Sequence, residues 1–369
     1  MLTETDTFGY GRVDVLAAVN AAGATPTATN TPTNTATSTS TATSTPTPAA
    51  AVITGTVTYG NAIGAPTPRF VSNVLISGAG SPPVSTSTIT SGTYTLSGFG
   101  AGAYTITPSK SGGQNGSISS FDAAKISQHV VGATTLNATQ LIVADVSGAG
   151  GVSSFDSALV ASYAVSAPNT GQTGTWRFSP VNVSHPSISS SIAGEDYIAL
   201  LMGDVSGNWV DTGARPSIAS GPEKPVRLTI PAVSTSTGTI NVPVSVKGIA
   251  GKGIISYEFD LRYDPSVIMP MKDAIELGQT VSRGCSIAVN AQEPGLVRVA
   301  VYGASAIEEN GILLNLRFSS VGKPGSDSQL KWERIVLNEG SPAVTTSDGS
   351  VNILAANSST TDQNTNSIF

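Results

Sequence analysis

Three stretches of this chain share pieces of one acidic phrase. Residues 145–156 read D-V-S-G-A-G-G-V-S-S-F-D, residues 111–122 read S-G-G-Q-N-G-S-I-S-S-F-D with the same ending, and residues 204–208 read D-V-S-G-N with the same beginning. Oxygen donors at positions 1, 3, 5, 9 and 12 of a twelve-residue loop, with glycine at position 6 for the sharp turn, form the ligand pattern of a Ca²⁺ loop. The recurrence predicts a metal-stiffened binding unit rather than an enzyme active site.

Position by position, only one copy is nearly complete. In residues 145–156, Asp145, Ser147, Ser153 and Asp156 hold positions 1, 3, 9 and 12. Ala149 leaves position 5 without a side-chain ligand, and Gly151 offers its carbonyl at position 7. In residues 111–122, Asn115, Ser119 and Asp122 hold positions 5, 9 and 12, but Ser111 and Gly113 stand at 1 and 3. The third phrase keeps the front half alone: Asp204, Ser206 and Asn208 at 1, 3 and 5, then Trp209 where glycine belongs. The two defects are complementary. Asp204, Ser206 and Asn208 are expected to fold back beside Asp122, giving two Ca²⁺ sites at most. The alternatives are a metal-free first loop with a plain β-turn at 204–208, and an Asx-turn leading into a Ser-capped helix at the second loop.

Composition bounds the rest. The chain has 369 residues, enough for two or three domains. Charged residues are 11% against the usual quarter, with Ser, Thr, Gly, Ala and Asn in their place. That mix suits β-rich extracellular domains with hydroxylated surfaces. The net charge is −6 with no Lys/Arg block, which argues against a nucleic-acid partner. Cys285 is the only cysteine, so neither an intramolecular disulfide nor a Cys-based zinc site is expected. No apolar run reaches about 18 residues, so no membrane span is expected. The N-terminus lacks a basic-then-apolar leader, and Met1 is therefore read as other than the natural start, or the chain as a fragment.

Along the chain, F-G-Y-G-R-V-D-V-L-A-A-V within residues 1–23 has helical spacing from Val13. It resembles the last helix of subtilisin-like serine protease domains, without a nucleophile segment. Residues 24–50 are nearly all Thr, Ser, Ala, Pro and Asn and read as a disordered linker open to O-glycosylation. Residues 51–108 alternate with period two, and G-T-Y-T-L-S-G-F-G-A-G-A-Y-T-I-T-P resembles small β-sandwiches of the Cna-B and carboxypeptidase-regulatory type.

In residues 109–213, each S-S-F-D runs into a helix-forming stretch, A-A-K-I-S-Q-H-V-V-G and S-A-L-V-A-S-Y-A-V. Loop then helix, twice, resembles a type I dockerin module, which implies Ca²⁺ as cofactor. T-G-T-W-R-F-S-P at 173–180 and Y-I-A-L-L-M at 197–202 have no place in a minimal dockerin and are expected to pack on the helices as an insert. After a linker at 214–225, residues 226–354 alternate over many strands, and 355–369 read as a polar disordered tail. I-S-Y-E-F-D-L-R-Y-D-P-S-V at 255–267, then G-L-V-R-V-A-V-Y-G-A-S and I-L-L-N-L-R-F, resemble a cohesin domain, a β-sandwich or jelly roll.

Alternation in that first strand puts Tyr257, Phe259 and Leu261 on one side and Ser256, Glu258 and Asp260 on the other. The cohesin resemblance implies that Ser256, Glu258 and Asp260 face a dockerin helix, with Tyr302 as an extension. An ordinary solvated face is the alternative.

The expected fold class is mainly β and multidomain: a β-sandwich, a small α-helical calcium module and a second sandwich or jelly roll. The expected function is non-catalytic: extracellular or cell-surface tethering between dockerin and cohesin types of partner, possible also within one chain, in the manner of polysaccharide-degrading assemblies. Two alternatives stay open, the C-terminal targeting region of a secreted subtilisin-like protease and a carbohydrate-binding module. Trp176, Trp209 and Trp332 lie far apart in sequence, with no aromatic platform evident.

Overall fold

The computed structural model describes residues 50–211, 224–236 and 238–354, all within one of the chain's two units, residues 49–369. The expected protease-like helix at 1–23, nearly all of both linkers and the tail from 355 lie outside the described residues.

The period-two runs after residue 50 form five strands: β1 (Ile53–Tyr59), β2 (Leu75–Ala79), β3 (Val84–Ser87), β4 (Thr93–Leu96) and β5 (Tyr104–Ser109). β1 pairs with β4, and β2 pairs with β3 and β5, all antiparallel. Three helices follow among the described residues: α1 (Ser120–Val130), α2 (Ala138–Ala144) and α3 (Ser154–Ala164).

The stretch expected to pack on the helices as an insert adds strands to the first sandwich, and its Leu201 and Met202 share an apolar cluster with Ala123 and Ile126 of the helices. β6 (Trp176–Ser179), β7 (Val183–His185), β8 (Ile192–Ala193) and β9 (Tyr197–Leu201) complete two sheets with orders β4-β1-β9-β6 and β3-β2-β5-β7, while β8 lies beside β1. β9 runs parallel to β1, with Val57 opposite Tyr197 and Tyr59 opposite Ala199. The physical reason is that Y-I-A-L-L-M needs both an apolar neighbour and partners for its backbone. The open side of β1 supplies both. The strands of the sandwich therefore run past residue 108 to Leu201, and the helices sit between β5 and β6 in the chain.

The second sandwich begins with β10 (Val226–Thr229), β11 (Ala232–Thr235), β12 (Thr239–Lys247) and β13 (Ile254–Arg262). It continues through β14 (Ile268–Glu276), β15 (Ser286–Asn290), β16 (Leu296–Ile307) and β17 (Gly311–Ser320), and ends with β18 (Asp327–Leu337), β19 (Val344–Ser347) and β20 (Gly349–Ile353). One sheet runs β14-β17-β12-β10-β19 and the other β11-β20-β18-β13-β16-β15. Tyr257, Phe259 and Leu261 turn inward to the apolar cluster between them. The other apolar cluster joins the first sandwich to the helices, and it takes in Ile255 and Tyr302 from the second sandwich.

Candidate functional site

Both S-S-F-D copies start a helix in the same way. Ser119 caps α1 and Ser153 caps α3, each with the aspartate three residues on closing a capping box, Asp122 and Asp156 respectively. Two boxes from one tetrapeptide place two carboxylates at the first turns of two helices.

The second loop folds around its own acids. Asp145 Oδ1 accepts from the N–H groups of Gly148 at 2.9 Å and Ala149 at 3.1 Å and from Ser147 Oγ at 3.3 Å. Its Oδ2 accepts from Gly150 N–H at 3.0 Å. Ser147 N–H reaches across to Asp156 Oδ1 at 2.9 Å, and Ser153 donates its N–H and hydroxyl to Asp156 Oδ2, both at 2.9 Å. Gly151 is exposed beside them.

The same plan is built a second time from two distant pieces of chain. Asp204 Oδ1 accepts from Gly207 N–H at 2.9 Å, Asn208 N–H at 3.3 Å and Ser206 Oγ at 3.2 Å. Its Oδ2 accepts from Trp209 N–H at 3.1 Å. Ser206 N–H reaches Asp122 Oδ1 at 2.8 Å, across 84 residues of chain. Ser119 donates to Asp122 Oδ2 through its N–H at 2.8 Å and its hydroxyl at 3.3 Å. Asp122 and Asp204 are thus brought together as Asp156 and Asp145 are. Asn115 is placed differently: its amide donates to the carbonyls of Val210 at 2.8 Å and Asp211 at 3.0 Å.

Three residues at this second assembly, Tyr59, Asn61 and Arg69, carried no signal in loop spacing. Tyr59 donates its hydroxyl to Asp204 Oδ2 at 2.5 Å, and Asn61 donates its amide to the Asp204 carbonyl at 2.6 Å. Arg69 holds the carbonyls of Gly207 and Trp209. Trp209 itself is fully buried, 4.9 Å from the Tyr59 ring and 5.1 Å from Trp176. Distance in sequence hid this cluster: Trp176 and Trp209 meet in space, while Trp332 packs on Phe259. α2 was likewise missed, although Asn137 and Gln140 spell a capping box that signals its start.

Burial separates the two assemblies electrostatically. It pushes the Asp122 carboxyl well up, with the charges of Glu339 and Asp204 adding, against N–H bonds from Ser206 and Ser119. Burial also raises Asp204, against bonds from Tyr59, Trp209, Gly207 and Asn208. For Asp156, burial is outweighed by the bonds from Ser147 and Ser153, and its carboxyl is held below the usual range. A raised acid favours the protonated fold: its contribution is present below the ordinary carboxylate pKa and is lost as pH rises through the raised value. A bound cation would take the proton's place there.

The donor sets test the fit to Ca²⁺. Among the described residues no group of three or more His, Cys, Asp or Glu is placed to hold a metal, so hydroxyl and amide oxygens would have to contribute. At the 204–208 turn such an oxygen is present. Asn208 gives its amide N–H to Glu339 at 2.7 Å, and its Oδ1 is buried without a hydrogen-bond partner. An oxygen-only set with one orphaned acceptor suits a hard cation. At the second loop, Ala149 leaves that position empty of a side-chain donor.

The sheet face of the second sandwich lies under the helices. Ser256 and Glu258 are 0% and 1% exposed, so they do not form a solvated face. Glu258 Oε2 accepts from Ser120 N–H at 2.9 Å, and Oε1 pairs with Arg334. The carboxylate therefore meets the positive end of α1. Ser256 Oγ is buried without a partner. Asp260 lies further along β13, 4.0 Å from Arg298. Tyr302 joins the apolar cluster that contains the helices.

Comparison with known proteins bears on this second sandwich. Residues 226–353 match the family model of the cohesin domain. Among solved structures, the chain resembles the sixth cohesin of Acetivibrio cellulolyticus scaffoldin B, solved with a mutant Cel5 dockerin, at 19% identity and TM-score 0.31, covering 35% of this chain and 99% of that one. It also resembles a type I cohesin–dockerin complex, Coh-OlpA-Doc918, from Clostridium thermocellum, at 21% identity and TM-score 0.31, over 36% and 100% of the two chains. A non-cellulosomal cohesin from Archaeoglobus fulgidus gives 18% identity and TM-score 0.30, over 36% and 93%. A search of curated proteins gives no match.

Proposed function

We propose that this chain is a non-catalytic extracellular scaffold segment that tethers proteins through a cohesin-like sandwich and a dockerin-like, calcium-stabilised loop–helix unit. One observation carries the reading: the N-terminus of α1 sits on the β13 face, with Ser120 N–H on Glu258. This contact within the chain sets a helix start on an acidic residue of a cohesin-like sheet, and it supports the reading that the sheet receives helices. Polysaccharide binding gains no support, since Trp209 and Tyr59 are spent in a buried cluster rather than on an exposed platform.

Calcium belongs to the same proposal. Asp204, Ser206, Asn208 and Asp122 would hold one ion, with Ser119 beside them. Asp145, Ser147, Ser153, Asp156 and the Gly151 carbonyl would hold the other, more weakly for want of a donor at Ala149. The ion supplies positive charge against the two acids of each assembly. Calorimetric Ca²⁺ titration of the full chain and of Asp204→Ala tests this. Two sites in the first and one in the second are expected. Two in both would overturn the composite site, and none in either would overturn the calcium reading.

A further inference from the structure

We infer that the β13–β16 face of the cohesin-like sandwich is a receptor already filled from within its own chain, so that an outside loop–helix partner enters only by displacing α1. This rests on the tethering reading above and adds who occupies the face. Ser256 and Glu258, the residues such a partner would meet, are buried. The cover is clamped at several points. Ser120 N–H holds Glu258 at one end of α1, and Gln128 Nε2 reaches the Ala304 carbonyl at 3.3 Å near the other. Asn290 on β15 donates to the carbonyls of Val165 and Ser166, just past α3, at 2.9 and 3.0 Å. Between the clamps, Ala123, Ala124 and Ile126 of α1 share an apolar cluster with Ile255 and Tyr302 of the sandwich. An apolar centre ringed by polar contacts is the anatomy of a specific interface.

The covalent connection fixes the competition. Between the last described residue of the first part, Asp211, and the first of the second, Lys224, lie only residues 212–223. A connection of that length presents the chain's own helix at an effective concentration in the millimolar range. Against a face of micromolar intrinsic affinity, an outside partner of equal affinity is weakened about a thousandfold.

The test places cysteines at the two ends of one clamp, Gln128→Cys and Ala304→Cys, in a Cys285→Ser chain, bridged with a short bismaleimide. A cross-link within single chains, at the same yield on strong dilution, is expected. A cross-link that joins two chains and grows with concentration, or none at all, would overturn the inference. A second measurement needs no change at the interface. The full chain carrying a protease site in 212–223 is cut and run on a sizing column at high micromolar concentration. The halves should co-elute, and separation would overturn the inference. Repeating the run in EDTA beside the Ca²⁺ titration keeps the two ideas apart. Halves that stay together while no Ca²⁺ binds would sink the calcium reading and leave the filled face standing.

Discussion

Asp204 and Asp145 hold equivalent places in two assemblies with one hydrogen-bond plan, yet replacing them should have very different costs. Asp204→Ala strands the Tyr59 hydroxyl and the N–H groups of Gly207 and Trp209, all in buried residues. Each buried donor left without an acceptor costs about 1–3 kcal/mol. Removing the raised, desolvated carboxyl returns part of that, so a net loss of about 3–4 kcal/mol is expected for Asp204→Ala. Asp145→Ala frees the N–H groups of Gly148, Ala149 and Gly150, all in exposed residues. Water takes over there, and the loss should be about 1 kcal/mol. The assay is urea unfolding in EDTA, followed by the fluorescence of the buried Trp209 cluster, with equal slopes required before midpoints are compared. Equal losses for the two variants would refute the reasoning, because burial would then not be what distinguishes the assemblies.

Other outcomes follow from the same geometry. Gly207 has φ +70°, and a Cβ there would lie 2.1 Å from the Asn61 carbonyl, whereas Gly150 at φ +87° has open space around it. Gly150→Ala should therefore cost about 1 kcal/mol of backbone strain and Gly207→Ala several times that, read as thermal midpoints. Burial raises the Asp260 carboxyl, against Arg334 and Arg298. Its contribution is present below the ordinary carboxylate range and lost as pH rises through the raised value, so Asp260→Asn should gain on the parent as pH climbs from 3 to 7. A gain on acidification instead would contradict the assignment. Burial also pushes the Cys285 thiol up. Its alkylation rate should rise with a midpoint above that of a free cysteine peptide, and a midpoint at or below that of the peptide would contradict it.

Much of the local structure was legible because it is local. Ser, two residues of any kind and Asp at 119–122 and 153–156 carry their own capping geometry, so both helix starts could be read from four letters each. Alternation likewise marked β13 and its inward face, since a strand's two sides are fixed by its period. Within 173–202, Y-I-A-L-L-M at 197–202 was visible as an apolar run, but its place was not. The parallel partner of β9 is β1, some 140 residues earlier, and nothing in either segment names the other.

The two candidate sites divide along the same line. The sequence by itself determined that two phrases were each half of a loop, and that Ser256, Glu258 and Asp260 shared one side of a strand. Only the tertiary structure decided that Ser206 N–H meets Asp122 inside a shell of Tyr59, Arg69 and Trp209. It alone decided, too, that Glu258 faces the chain's own helix and not water. The reason is physical. A hydrogen-bonding pattern along the backbone repeats with the chain and can be read in order. Burial and the raised acids it creates depend on which distant surfaces close over a group.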